Sequence, residues 1–541
     1  MKDAAEVASP PAGEAAAKRR VGARSGQESF AAWKLPLLMG LALAAVTAIP
    51  YLYAYAVQPP GRVFMGFFYL GDDANTYLAK MHQGWEGAWG WHNRYTTESS
   101  PIAYLFMFWI VIGHLAAILH VPLMVAFHLA RVAGAFALMA AAWLMICHFI
   151  EDRSARRFAF LFLAVGLGLG YVIQALGQPV IFGTRTDTLD WRMPELTAFY
   201  SVLALPHFAW SGVFAAAGIA LTFTAIQRGS LVLGVLAGLA WLGQASIHPQ
   251  MPILMGGATA AALIFRPASP RGWLAAGIAF AIPAPYILYS YLAFVGNPEV
   301  QRWTFHSKNA VPPETVSLLF ALAPQLLLAL AGLPGALRRR SREDVFLVAW
   351  LVLLLVILYL PNPAGELRRR FLDAIYLPLV ILGARGMYEE IMPRLRSVRA
   401  RALVPFSYVC FSTIGTSFLI LAPLAVATNP QYSVSTAFYD GLNWLGREPA
   451  GRVLAMPGVG LYVPAYSGDT VYVGHYDETF DYLAKTQTAA DVLTGKGDLA
   501  QFVKDNQIRY VVWTADLQAE PPAALGPPAY DTPTFKIWRL F

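Results

Sequence analysis

The strongest constraint in this sequence is a recurrence of apolar runs close to twenty residues long, separated by short segments in which arginine is concentrated. About twenty consecutive apolar residues cross the hydrocarbon of a bilayer as one helix. Lipid offers the backbone no outside partner, so such runs are driven into helices. They fall near residues 35–57, 123–149, 158–176, 206–226, 231–247, 250–265, 272–294, 316–336, 345–361, 372–388 and 403–427. The expectation is a mainly α, polytopic membrane bundle of about eleven spans. Composition agrees: 57% of the 541 residues are hydrophobic and 13% charged, more apolar surface than one water-soluble core of this length encloses.

In a soluble chain the formal net charge of +7 would point to an anionic partner. Here the charge follows the loops. Arg153, Arg156 and Arg157, then residues 338–342, then residues 394–401 lie between apolar runs, where the positive-inside tendency puts them in the cytoplasm. No nucleic-acid partner is indicated. This placement holds only if the apolar stretch 101–120 is not a span, so it is assigned to a long first external loop, 58–122, as a helix or hairpin at the interface. Residues 1–32, rich in Ala, Gly, Ser, Lys and Arg, read as a disordered cytoplasmic tail. The run 35–57 reads as an uncleaved signal anchor opening a transmembrane domain over 33–430. The irregular, aromatic-rich loops are then external, and functional side chains are expected there, on loops held by a rigid scaffold.

Composition changes to that of a globular domain near residue 431. Helical periodicity over 438–445, strands at 452–456 and 470–473, a helix over 498–506 and strands at 509–513 and 535–540 predict a small extracytoplasmic α/β domain, 431–541, with a largely parallel sheet. It carries no glycine-rich dinucleotide or Walker signature, so no nucleotide site is indicated. Cys147 and Cys410, the only cysteines, both lie in apolar runs and support neither a disulfide framework nor a thiolate metal site.

Four groups of residues could carry chemistry. Asp72 and Asp73, with Tyr77 and Lys80 following, suit a water-filled cavity near the membrane surface; equally, either acid could cap a helix over 74–83. Arg368, Arg369 and Arg370 lie outside on this topology, against the positive-inside tendency. Guanidinium forks at headgroup depth suit an anionic phosphate, and ion pairs with Glu366 and Asp373 are the structural alternative. His207 and His248 sit at external ends of runs, where a histidine serves as ligand, proton carrier or structural group, and Glu195 is near the first of them in sequence. His475 and Glu478 follow a strand of the soluble domain, where α/β folds place ligand groups, although Asp477 beside them could simply cap a helix.

The signal anchor, the long loop with Asp72-Asp73, the segment Ser100-Pro101-Ile102-Ala103-Tyr104-Leu105 and the basic-ended span containing Leu129-Ala130-Arg131 together resemble the GT-C superfamily of membrane glycosyltransferases, which includes protein O-mannosyltransferases and lipid A aminoarabinose transferases. The similarity covers roughly residues 33–430. The stretch from Glu195 to His207, the Arg368-Arg369-Arg370-Phe371-Leu372 run and Gly474-His475 to Glu478-Thr479 look like related bacterial multi-span proteins. The resemblance implies a bacterial inner-membrane enzyme that takes a sugar from a polyprenyl-phosphate-linked donor and transfers it with inversion to a glycan, lipid or protein acceptor outside the cell. Asp72 or Asp73 would be the general base and Arg368–Arg370 would hold the donor phosphate; a divalent metal ion is compatible with the same chemistry. The chain departs from the pattern in having Ser-Pro where better-known members have His-Pro-Pro, and Asp-Asp where Asp-Glu is frequent. A secondary transporter or a flippase for lipid-linked sugars would also need many spans, but no internal repeat supports one.

Overall fold

The computed structural model describes residues 30–296, 313–360, 365–522 and 525–541. The expected tail lies outside these residues except for positions 30–32, which already belong to the first helix, Phe30–Val57. Among the described residues seven helices are long and apolar enough to cross a membrane: Trp33–Val57, Leu123–Phe149, Pro206–Arg228, Pro270–Phe294, Thr315–Arg339, Arg368–Arg394 and Val398–Ala425. The other expected runs form shorter helices, Arg153–Val165, Leu231–Ala245, Met251–Phe265 and the charge-headed Arg342–Tyr359.

The shortened elements have local causes. Arg153–Val165 stops because Gly166, Leu167 and Gly168 leave helical geometry, and the run expected over 158–176 resumes only as the short helix Gly170–Ala175. The freed backbone is satisfied by neighbouring helices, Leu167 N donating to Ser412 O at 3.0 Å and Leu169 N to Phe320 O at 2.9 Å. Irregular backbone at this depth is tolerated only with such protein partners. Elsewhere small residues let long helices approach. A Cβ on Gly134 would stand 3.1 Å from Ala209 Cβ, where Leu123–Phe149 and Pro206–Arg228 pack. Cys410 faces outward on the last long helix rather than into the core.

The long first loop carries two helices, Gly71–Trp85 and Met107–Leu119, the second being the apolar stretch kept out of the span count. They cross through Gly84 and Gly113, where an added Cβ would collide with the backbone of Ile110 and Met81. Strand β1 (Arg62–Phe64) pairs antiparallel with β4 (Ser433–Ser435), so the loop is sewn to the start of the C-terminal domain; a small hairpin, β2 (Val180–Ile181) and β3 (Thr184–Arg185), lies between.

The C-terminal sheet runs β6 (Thr470–Val471), β5 (Arg452–Leu454), β7 (Ile508–Thr514), β9 (Phe535–Arg539), β8 (Tyr530–Asp531). Its β6–β5 and β5–β7 pairs are parallel, while β7–β9 and β9–β8 are antiparallel. The sheet is therefore mixed rather than largely parallel: among the described residues no α-helix carries the chain across the sheet between β7 and β9, and a parallel return needs a crossover, usually an α-helix. One face shares its core with the membrane helices: Val453, Val471 and Tyr510 belong to the same buried cluster as Phe127 and Leu203.

Candidate functional site

Asp72 and Asp73 do not cap a helix over 74–83. The helix begins at Gly71, its N-cap is Leu70 in a left-handed conformation (φ 50°), and no side chain caps it. Both acids occupy the first turn, where the positive end of the helix dipole favours negative charge. They are not equivalent. Asp72 is exposed, whereas Asp73 is turned inward with its side chain 34% exposed. Burial raises the Asp73 carboxyl above the usual carboxylate range; Asp72 and Glu478 add to the rise, and His475 and Arg370 oppose it.

His475 reaches this acid from the soluble domain, its Nε2 3.9 Å from Asp73 Oδ1. Its Nδ1 accepts the backbone N–H of Asp477 at 3.2 Å, and burial lowers its pKa. A neutral ring whose Nδ1 accepts carries its proton on Nε2, the nitrogen that faces Asp73 and has no hydrogen-bond partner among the described residues. Asp477 does not cap a helix; the next one starts at Tyr482 after Asp481. Burial, with Asp73 and Glu478 nearby, instead pushes the Asp477 carboxyl up to about 6, against a lowering by Arg370.

Lys80 and Glu478 hold this loop in place. Their side chains are 2% and 5% exposed and meet at 2.5 Å, and Lys80 Nζ also lies 4.6 Å from the Phe106 ring centroid and 5.4 Å from that of Tyr77. Asn93 Nδ2 donates to Glu478 O at 2.7 Å and Thr479 Oγ1 to Tyr95 O at 2.8 Å. These two charged residues serve one another and are not open to a substrate. Tyr77 stacks on Trp109 at 4.4 Å and leans on His207 at 4.8 Å. His207 is 3% exposed, and neither of its ring nitrogens has a hydrogen-bond partner among the described residues.

The arginines divide. Arg368 Nη1 donates to Leu358 O at 3.3 Å, and Arg369 Nη2 meets Glu195 Oε1 at 3.3 Å. Arg370 makes no ion pair among the described residues, and it lies close enough to Asp73, Tyr77 and Asp477 to act on all three electrostatically. Asp373 is not an ion-pair partner of the cluster. It lies in the bundle with His248 Nδ1 at 2.8 Å, Gln244 Nε2 at 3.1 Å and the Ser211 hydroxyl. His248 is thereby committed to a buried network beneath the arginines. The side chain of Glu366 lies outside the described residues.

Asp73, Arg370 and His475 thus converge from three distant parts of the chain, with Tyr77, His207 and the Arg369–Glu195 pair around them. Sequence reasoning missed Trp109, Asn93 and Tyr95; the only signal for Trp109 and Tyr95 was the density of aromatic residues along the first loop, and Asn93 gave none. Tyr476, in the motif with His475, stacks on that ring at 4.5 Å. Among the described residues no group of three or more His, Cys, Asp or Glu side chains is placed to hold a metal ion, so the expected divalent metal finds no ready ligand set here.

No protein-family model matches the chain, and no curated protein matches it. Solved structures with a similar course of chain include the oligosaccharyltransferase of Archaeoglobus fulgidus tethered with an acceptor peptide, at 14% identity over 88% of this chain and 69% of that one, TM-score 0.48. The Archaeoglobus fulgidus oligosaccharyltransferase AglB in complex with an inhibitory peptide and a dolichol-phosphate gives 12% identity over 88% and 70%, TM-score 0.49. The arabinofuranosyltransferase AftD from Mycobacteria gives 17% identity over 92% of this chain but 41% of that one, TM-score 0.49. TM-scores below 0.5 at such identities leave the chemistry to be read from this chain's own side chains.

Proposed function

We propose that the chain is an integral membrane glycosyltransferase. More particularly, we infer that it moves a sugar from a polyprenyl-phosphate-linked donor to an acceptor hydroxyl outside the cytoplasm, with inversion. The observation that carries this reading is the guanidinium of Arg370, which makes no ion pair among the described residues and acts electrostatically on the inward carboxylate of Asp73. Transfer to a hydroxyl needs a base at the acceptor and positive charge at the departing phosphate. Asp73 takes the acceptor proton as the hydroxyl oxygen bonds to the anomeric carbon. The bond from that carbon to the phosphate oxygen breaks, and its electron pair leaves on the phosphate, held by Arg370 with Arg369 alongside.

Asp73 is preferred to Asp72 because it is turned inward, approaches His475 to 3.9 Å and feels Arg370, whereas Asp72 is exposed. His475 is a positioning residue, its Nε2–H oriented toward the Asp73 carboxylate. No step is assigned to a metal. The N-terminus is cytoplasmic, the C-terminal domain lies on the far side of a bacterial inner membrane, and counting Arg153–Val165, Leu231–Ala245, Met251–Phe265 and Arg342–Tyr359 beside the seven long helices brings the crossings to about eleven.

The test is release of polyprenyl phosphate from a panel of polyprenyl-phosphoryl pentoses and hexoses by the purified protein in nanodiscs. Wild-type protein should cleave at least one donor, and a folded Asp73→Asn variant should not. Equal turnover by the two would remove the base assignment. Translocation of the intact lipid-linked sugar across sealed vesicles without cleavage would mean a flippase instead.

A further inference from the structure

The segment 91–96 has two faces with different work. Asn93 and Tyr95 hold the loop 475–479, as described above. The segment also lies against β6, Val471 N donating to Arg94 O at 2.9 Å. On its other side His92 and Arg94 line an open cavity of about 510 Å³, together with Arg452, Asp469, Arg509 and Phe541. A second cavity of about 360 Å³ shares His92, Arg452 and Thr470 with the first and extends along Thr96, Thr97, Ser99 and Ser100. The two form one groove between the long first loop and the C-terminal domain, and of its lining residues only Asn93 also holds the loop of the transfer site.

Three observations define what this groove would take. Arg94 is neutralised by Glu86, but Arg452 and Arg509 have no carboxylate partner among the described residues. Arg452 Nη1 donates to Asn506 O at 3.0 Å, and Arg509 lies 6.0 Å from the Phe541 ring with one long bond, 3.5 Å, to Ala450 O. Asp469 is 2% exposed; its Oδ1 accepts Gly451 N at 2.6 Å, while Oδ2 and the Nε of Arg509 have no hydrogen-bond partner among the described residues. Polar atoms buried without partners are uncommon in folded proteins. Finally, the extension carries four hydroxyl side chains, Thr96, Thr97, Ser99 and Ser100, beside Ile102 and Glu98, whose carboxylate is already paired with Lys485.

We propose that this groove binds an acidic oligosaccharide, with Arg452 and Arg509 taking its carboxylate or phosphate, Phe541 facing a sugar ring, and the hydroxyl-lined extension seating further sugar units. Guanidinium forks suit either anion in bidentate geometry. A drug-like apolar ligand would instead want a mainly hydrophobic wall. The groove is distinct from the site at Asp73 and goes beyond the transfer reading, since binding here requires no transfer.

The test uses the full chain in nanodiscs, titrated calorimetrically with tetragalacturonic acid, with uncharged maltotetraose of the same length, with glucose 6-phosphate and with inorganic phosphate. The acidic tetrasaccharide should bind at least about tenfold more tightly than maltotetraose, and Arg452→Gln with Arg509→Gln should each weaken it about tenfold. Tighter binding of glucose 6-phosphate than of the uronic oligomer would support the groove and assign the anion to phosphate. Inorganic phosphate binding as tightly as either sugar, equal binding of maltotetraose, or full retention in the double variant would overturn the proposal. Should the arginine variants fail to fold, hydrogen exchange on wild-type protein decides. Tetragalacturonate should protect the segments 450–453 and 468–471, and unchanged exchange there would overturn the assignment. Asp73→Asn should bind the oligomer as wild type does, which separates failure of this groove from failure of the transfer reading.

Discussion

The imidazole Nε2 of His475 stands 3.9 Å from Oδ1 of Asp73, one from the soluble domain and the other from the first external loop. With Nδ1 accepting from Asp477, the ring presents a proton to an acid whose pKa burial raises and Arg370 restrains. A general base works only when ionised, so transfer should rise with pH through the Asp73 pKa, and the acid limb should lie above the ordinary carboxylate value of about 4. Replacing Arg370 with Gln removes a charge that lowers this pKa, so the limb should move to higher pH. The rate deficit should then be largest on the acid side and shrink as pH rises. The pH profile of kcat/KM for the two proteins checks this; a limb that stays in place or moves down would separate Arg370 from Asp73.

The two aspartates are adjacent in sequence but differ in orientation, and only Asp73 is inward. Asp73→Asn should cost about a hundredfold or more in kcat, the range expected for loss of a general base. Asp72→Asn should cost less than about tenfold, since it removes only a neighbouring negative charge. Single-turnover transfer, with matched amounts of folded protein, distinguishes the two. Equal losses would mean that the acids act as a pair.

Lys80 and Glu478 are buried against each other across the joint between loop and domain. Glu478→Ala leaves an uncompensated ammonium in that joint and should destabilise the protein by about 3–5 kcal/mol. The paired change Lys80→Met with Glu478→Leu removes both charges and should recover most of that loss. Thermal unfolding of the wild type, Lys80→Met, Glu478→Leu and the double variant in one detergent gives the coupling directly, and a double variant as unstable as the sum of these two singles would show that the pair is not coupled.

The membrane helices were legible because their signal is local: an apolar run of the right length needs no partner to be recognised. The stops were less so. The run over 158–176 reads as continuous, and only the packing of Gly168 against the backbone of Ala321 makes it break. Asp73, Arg370, His475 and His207 were legible as unusual residues in loops or at the ends of apolar runs, but their convergence was not, because nothing in periodicity brings residue 73 to residue 475. The apparent caps at Asp72, Asp73 and Asp477 failed for one reason: capping needs the preceding backbone to be extended, and left-handed residues, Leu70 and Asp481, occupy the cap positions instead.

The placement of Asp73 depends on two glycines that have no chemistry of their own. Gly84 on the helix carrying Asp73 and Gly113 on Met107–Leu119 meet backbone to backbone, and a Cβ on either would collide with a carbonyl of the opposite helix. Backbone cannot swing aside as a side chain does, so Gly113→Ala must push the helices apart. Overpacking of this kind typically costs about 1–3 kcal/mol. The expected signature is a loss of stability together with a fall in kcat larger than the rise in KM, because the displaced helix carries the base and not the arginines that hold the phosphate. Gly277→Ala is the matched control: a Cβ there meets nothing within 4 Å, and alanine is the better helix former by about 1 kcal/mol. Thermal unfolding and steady-state transfer of both variants check the claim, and a Gly113→Ala protein as stable and active as wild type would mean that the helix crossing does not set the position of Asp73.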